Sequence, residues 1–84
     1  MDSSLKRTKS GKIVLKIEDD DTLPLVLSLL DDMDVESHKL TINKKDDEWI
    51  VNFTIVYKDN RKISEIAKLF YLIDNNISID YCGA

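Results

Sequence analysis

Trp49-Ile50-Val51-Asn52-Phe53-Thr54-Ile55-Val56-Tyr57 is the stretch from which the rest of the 84-residue chain can be read. Trp49, Val51, Phe53, Ile55 and Tyr57 alternate with Ile50, Asn52, Thr54 and Val56, the period-two pattern of a strand whose two faces meet different surroundings. Immediately upstream, Lys44 to Glu48 is an entirely charged turn, and before it residues 35–43 form a second extended run with His38, Leu40 and Ile42 on one side. Two strands joined by a short polar loop predict a β-hairpin at the centre of the chain.

Working outward, each side of the hairpin carries one helical and one extended segment. On the N-terminal side, residues 12–18 alternate, with Ile13, Leu15 and Ile17 on one face and Val14 and Lys16 on the other. Asp19, Asp20 and Asp21 break that pattern. Thr22 offers an N-cap, and Pro24 suits a first helical turn, where its missing N–H is not needed. Leu23, Val26, Leu27 and Leu30 then follow the spacing of one buried helical face, predicting a helix over residues 23–32. On the C-terminal side, Asp59 and Asn60 supply turn chemistry. Ile63, Ile66, Ala67, Phe70 and Ile73 form a helical stripe over residues 62–73, widened by Leu69 and Leu72. Ile77, Ile79 and Tyr81 alternate as a last strand over residues 77–82.

The order is therefore β-α-β-β-α-β, an α+β chain. Two β-α-β halves around a hairpin predict a ferredoxin-like sandwich: a four-stranded antiparallel sheet with both helices on one face. The first and third strands are expected to be central. The opposite face would show Lys16, Asn52, Thr54, Ser78, Asp80 and Cys82, polar enough to meet water. Length allows one domain, over residues 12–84. Residues 1–11 lack periodicity, hold three serines and end at Gly11, which predicts a flexible basic leader.

Composition narrows the function classes. With 43% hydrophobic and 33% charged residues the chain is an ordinary globular one. The net charge of −4 is unevenly placed: residues 1–12 hold four cations against one anion, and the remainder holds eight basic against fifteen acidic residues. So acidic a body disfavours nucleic acid as a partner. The only glycines, Gly11 and Gly83, make no phosphate-cradling loop. The lone cysteine, Cys82, excludes an internal disulfide and fits a reducing cytosol. No stretch reaches the roughly 20 apolar residues of a membrane span.

Catalytic chemistry finds no constellation of residues. His38 is the single histidine and has no positioned partner in sequence. Cys82 lacks an activating base, so no enzyme, no cofactor and no metal site is expected. The carboxylates fall in two groups, Glu18 to Asp21 and Asp31, Asp32 and Asp34, at opposite ends of one helix, and read as a solvated surface. Trp49, Phe53 and Tyr57 share the face assigned to the helices, so they read as core rather than as a base-stacking platform. Two features remain as candidate sites. The loop Asp19, Asp20, Asp21 and Thr22 is the candidate ligand loop, in a position to meet a small molecule or divalent ion. Leu25 and Leu29 lie four residues apart beside the main helical stripe and are the candidate interface of a homodimer.

Four stretches carry a family resemblance: residues 12–21 (K-I-V-L-K-I-E-D-D-D), 38–55 (H-K-L-T-I-N-K-K-D-D-E-W-I-V-N-F-T-I), 62–74 (K-I-S-E-I-A-K-L-F-Y-L-I-D) and 77–81 (I-S-I-D-Y). They resemble an ACT-like regulatory domain and, more narrowly, the C-terminal cytosolic domain of bacterial MgtC/SapB-type membrane proteins. The resemblance implies a regulatory or interaction domain at the cytosolic face of a membrane, linked through Lys6, Arg7 and Lys9 to a membrane domain N-terminal to residue 1. Amino-acid-binding ACT domains typically place a glycine between the first strand and first helix. Here Asp19-Asp20-Asp21-Thr22-Leu23-Pro24 stands instead, and no ligand residue is carried over. The alternative is a stand-alone ACT-like sensor of a small molecule or divalent metal.

Overall fold

The computed structural model describes residues 8–33, 35–58 and 60–83. Asp34, Asp59 and the leader residues Lys6 and Arg7 lie outside them. The elements run β1 (Thr8–Ile17), α1 (Thr22–Asp32), β2 (Glu36–Lys45), β3 (Glu48–Lys58), α2 (Ile63–Lys68), a 3₁₀ turn (Leu69–Leu72) and β4 (Ser78–Gly83). All four strands form one antiparallel sheet in the order β2-β3-β1-β4, so the first and third strands are central as expected.

Alternation decides which side of the sheet is dry. Ile13, Leu15 and Ile17 of β1 and Val51, Phe53, Ile55 and Tyr57 of β3 face the helices and are buried. Lys16, Asn52, Thr54, Ser78, Asp80 and Cys82 fall on the open face by register. From above, α1 presents Val26 and Leu30, with Leu23, Leu27 and Leu29 partly buried beside them. From α2 and the following turn come Ile66 and Phe70, whose ring packs tilted against Phe53 with centroids 6.1 Å apart.

Four local features depart from the expectation. First, Thr8–Gly11, assigned to the leader, belong to β1 and pair with Lys58 to Ile55 of β3. Polar side chains hide this from a periodicity search, yet a long partner strand supplies the ladder. Gly11 is buried there for a steric reason. A Cβ at Gly11 would overlap Ile63 Cδ1 at the start of α2 and stand 3.1 Å from the Cys82 carbonyl oxygen. Glycine thus lets α2 settle onto the sheet. Second, α2 tightens into a 3₁₀ turn at Leu69, a common ending for a helix. Three residues per turn keep Phe70 and Ile73 inward and turn Leu72 out, where it is 82% exposed.

Third, β2 carries a bulge. His38 pairs with Thr54 but Thr41 pairs with Asn52, so Lys39 and Leu40 together oppose one residue of β3. Lys39 takes a left-handed φ of 56° to make it. The bulge reverses the alternation, placing His38 on the open face while Leu40 and Ile42 stay on the helix side. Fourth, Thr22 does not cap α1: the helix begins at Thr22 itself, and no side chain caps its N-terminus. The Thr22 hydroxyl donates instead to Asp74 Oδ2 at 3.2 Å.

The charged turn contracts to two residues. Asp46 and Asp47 have φ of 53° and 65°, and Lys45 pairs with Glu48 across them. Two positive-φ residues in a two-residue loop make a type I′ turn, whose twist matches that of the strands. Asparagine followed by glycine is the preferred pair for such a turn. Asp47→Gly is accordingly expected to raise the unfolding free energy by roughly 0.5–1 kcal/mol in chemical denaturation; a loss of stability would show that Asp47 makes a compensating contact.

Candidate functional site

Antiparallel strand order gathers three connections at one end of the sheet: the β1–α1 loop, the β2–β3 turn and the segment entering β4. The candidate ligand loop lies there and is held by short local chemistry. Asp19 Oδ1 accepts the Asp21 backbone N–H at 2.9 Å, and the Asp19 carbonyl oxygen accepts the Thr22 N–H at 3.0 Å. Aspartate readily forms such side-chain turns.

Longer-range contacts then tie the loop to its neighbours. The indole N–H of Trp49, at the start of β3, donates to Asp20 Oδ1. Lys44 Nζ stands 3.7 Å from the same oxygen and 5.1 Å from the Trp49 ring centroid. Asp20 thus sits between a ring N–H and an ammonium group, and Lys44 serves both the carboxylate and the ring face. Thr22 is anchored to Asp74, whose other oxygen accepts the Asn76 N–H at 2.9 Å. The side chains of Asp19, Asp20 and Thr22 are thus engaged within the chain. Because the Lys44 and Asp20 side chains remain largely in water, their ion pair contributes little on its own, on the order of 0–1 kcal/mol.

The other candidates separate. Leu25 is 55% exposed on α1, whereas Leu29 packs partly against the core, so the two do not share an equally open surface. Asp31 and Asp32 lie at the far end of α1 from Asp19 to Asp21. Among the described residues, no group of three His, Cys, Asp or Glu side chains is placed to hold a metal ion. On the open face near the β2 edge, His38 Nε2 stands 3.1 Å from Glu36 Oε2, with both side chains well exposed. Cys82 is exposed on β4, paired with Lys12. Phe53 and Tyr57 are buried on the helix side.

A second surface was not legible in the sequence. All ten residues of β2 are exposed, and among the described residues no strand lies beside its outer edge. Leu40 and Ile42 remain 44% and 36% exposed on its helix side. Between α1 and β2 an open groove of about 420 Å³ is lined by Leu27, Leu30, Asp31, Val35, Ser37 and Leu40. The alternation of β2 hinted at a buried face; its position at the edge depends on the order of the whole sheet.

No family model matches the sequence, and a search of curated proteins finds no match. Solved structures do share the fold. An ACT domain protein from Streptococcus pneumoniae superposes with a TM-score of 0.73 at 10% identity, over 93% of this chain and 92% of that one. The de novo designed protein Foldit4 gives 0.69 at 14% identity, covering 93% and 97%. Formyltetrahydrofolate deformylase from Burkholderia mallei gives 0.62 at 14% identity, where 90% of this chain matches 28% of the enzyme. The class is therefore settled as a ferredoxin-like α+β domain. It shares that fold with an ACT domain protein. A designed protein adopts the same fold, so the fold alone assigns no activity.

Proposed function

We propose that this chain is a non-catalytic regulatory or interaction domain, an ACT-like module that works by offering a sheet surface to a partner. The observation that carries the reading is the asymmetry of the sheet. One face is sealed by two helices over a dry core. Among the described residues the other face stays open, with half-buried Val14, Ile50 and Val56 set among polar side chains, and no strand covers the outer edge of β2. Open edges and mixed apolar–polar faces are the surfaces on which such domains associate.

The alternative is a stand-alone sensor of a small molecule or divalent ion, acting through Asp19, Asp20, Asp21 and Thr22. The contacts of Asp20 with Trp49 and Lys44, and of Thr22 with Asp74, favour the interaction module, because a ligand would have to displace them. Titration with magnesium, calcium and each of the twenty amino acids, followed by backbone amide shifts and Trp49 fluorescence, separates the two. The module predicts no saturable change around Asp19 to Leu23; a saturable shift there with altered Trp49 emission would make the domain a sensor.

A finer reading places the domain at the cytosolic face of a bacterial membrane protein of MgtC/SapB type. Its support is the four resembling stretches and the cations Lys6 and Arg7, which precede β1 in the sequence. No helix among the described residues is long and apolar enough to cross a membrane, so the attachment would lie elsewhere in a parent protein. Detection of the native gene product in washed membranes, at a mass above that of 84 residues, agrees with this reading. An 84-residue product confined to the soluble fraction contradicts it.

A further inference from the structure

We propose that residues 1–7, which precede the described part of the chain, strap the groove between α1 and β2. Their cations meet the acidic end of α1, and Leu5 and Met1 meet the groove's apolar wall. This strap is independent of both functional readings above.

The route begins where β1 begins. Thr8 lines an open pocket of about 260 Å³ with Met33, Val35, Glu36 and Lys58, beside the end of β3. Val35 also lines the groove of about 420 Å³ between α1 and β2, so the two depressions join at that side chain. The farther wall of the groove holds Leu27, Leu30 and Leu40, the last of them 44% exposed. Lys39 and Leu40 stand opposite Phe53, and Phe53 stands opposite Ile13. Leu40 is therefore five residues along and two strands across from Thr8. That separation is roughly 20 Å, within the about 23 Å that seven extended residues span.

Charge selects the direction. α1 closes on Asp31 and Asp32 with no basic residue in its last turn, so two carboxylates crowd the negative end of the helix dipole. Together with Glu36 they outnumber Lys58, the cation of the pocket lining. Arg7 and Lys6 are the first two residues upstream of Thr8 and bring two positive charges to that end of the sheet. Leu5 comes next and falls over Met33 and Val35, while Met1 reaches Leu27 and Leu40. Leu5 and Met1 are the apolar residues of the leader, so apolar meets apolar beyond the charged pairs. A partner seeking this groove must first displace the leader, which makes the strap a guard on it.

Paramagnetic broadening on the full chain tests the strap, with thermal unfolding monitored for each variant. A nitroxide on Ser3→Cys, in a Cys82→Ser background, is expected to strip most of the intensity from the amides of Leu27, Val35 and Leu40. Those of Tyr81 and Gly83, on the other side of β1 and nearer to Thr8 by register, should keep theirs. Lys6→Glu with Arg7→Glu should return the lost intensities. Adding Asp31→Lys and Asp32→Lys, at two exposed positions where cations suit the helix end, should bring the broadening back. If that combined variant unfolds, the reversal at Lys6 and Arg7, which precede β1, still decides. Equal broadening of Tyr81, Gly83, Leu27 and Leu40 would overturn the proposal, as would full intensity at Leu27 and Leu40. Indifference to the leader reversal, or broadening as strong between separately labelled chains as within one chain, would overturn it too.

Discussion

Ten consecutive rungs join β1 to β3, from Thr8 opposite Lys58 to Ile17 opposite Trp49, and the placement of every other element follows from that ladder. It is the seam that brings Ile13, Leu15 and Ile17 beside Val51, Phe53 and Ile55 on one face. Side chains in a strand alternate with period two, so a slip of one residue would turn one of these sets into water. Burying a residue of this size contributes roughly 1.5–3 kcal/mol, which makes the penalty for such a slip far larger than the stability of a small domain. With the seam fixed, each β-α-β crossover must pass over the same face to return in the right-handed sense. The helices thereby share one layer, and the opposite face stays open.

How far the sequence discloses this depends on the range of the interaction responsible. The alternation from Trp49 to Tyr57, the Leu-rich stripe of α1 and the order of elements arise from local pattern, and they predicted the topology. Features imposed by a distant partner did not show. Thr8, Lys9 and Ser10 look like a leader because their polarity carries no period, yet the length of β3 keeps them in the sheet. The part played by Gly11 appears only once Ile63, fifty-two positions away, is seen packing against it. No residue type announces a bulge at Lys39, since lysine is an uncommon choice for φ of 56°. A reading by simple alternation therefore put His38 with Leu40 and Ile42.

The same division holds for the candidate sites. Aspartates following a strand predict a turn, and Asp19 makes it through its own side chain. Its neighbours' contacts with Trp49, Lys44 and Asp74 come from three other segments and change the character of the loop, from an open acidic ribbon to a buttressed corner. Leu25 and Leu29 share a helical line in sequence, but in the fold Leu29 packs partly against the core while Leu25 is left in water. The exposed apolar residues at the β2 edge draw meaning from strand order, which sequence supplies only through the fold. Since a designed protein and an ACT domain protein adopt this architecture alike, function must be sought in such surface particulars.

If the β1–β3 ladder is the element on which the rest depends, it must be the last part of the domain to open. Native-state hydrogen exchange measures this directly. The account predicts that the amides of Ile13, Leu15, Val51 and Phe53 exchange only through global unfolding, with opening free energies equal to that from chemical denaturation. Those of the β2 edge, Lys44 and Ile42 among them, should exchange through smaller openings. Exchange of the β1 and β3 amides at free energies well below the global value, with β2 protected as strongly as they are, would contradict it.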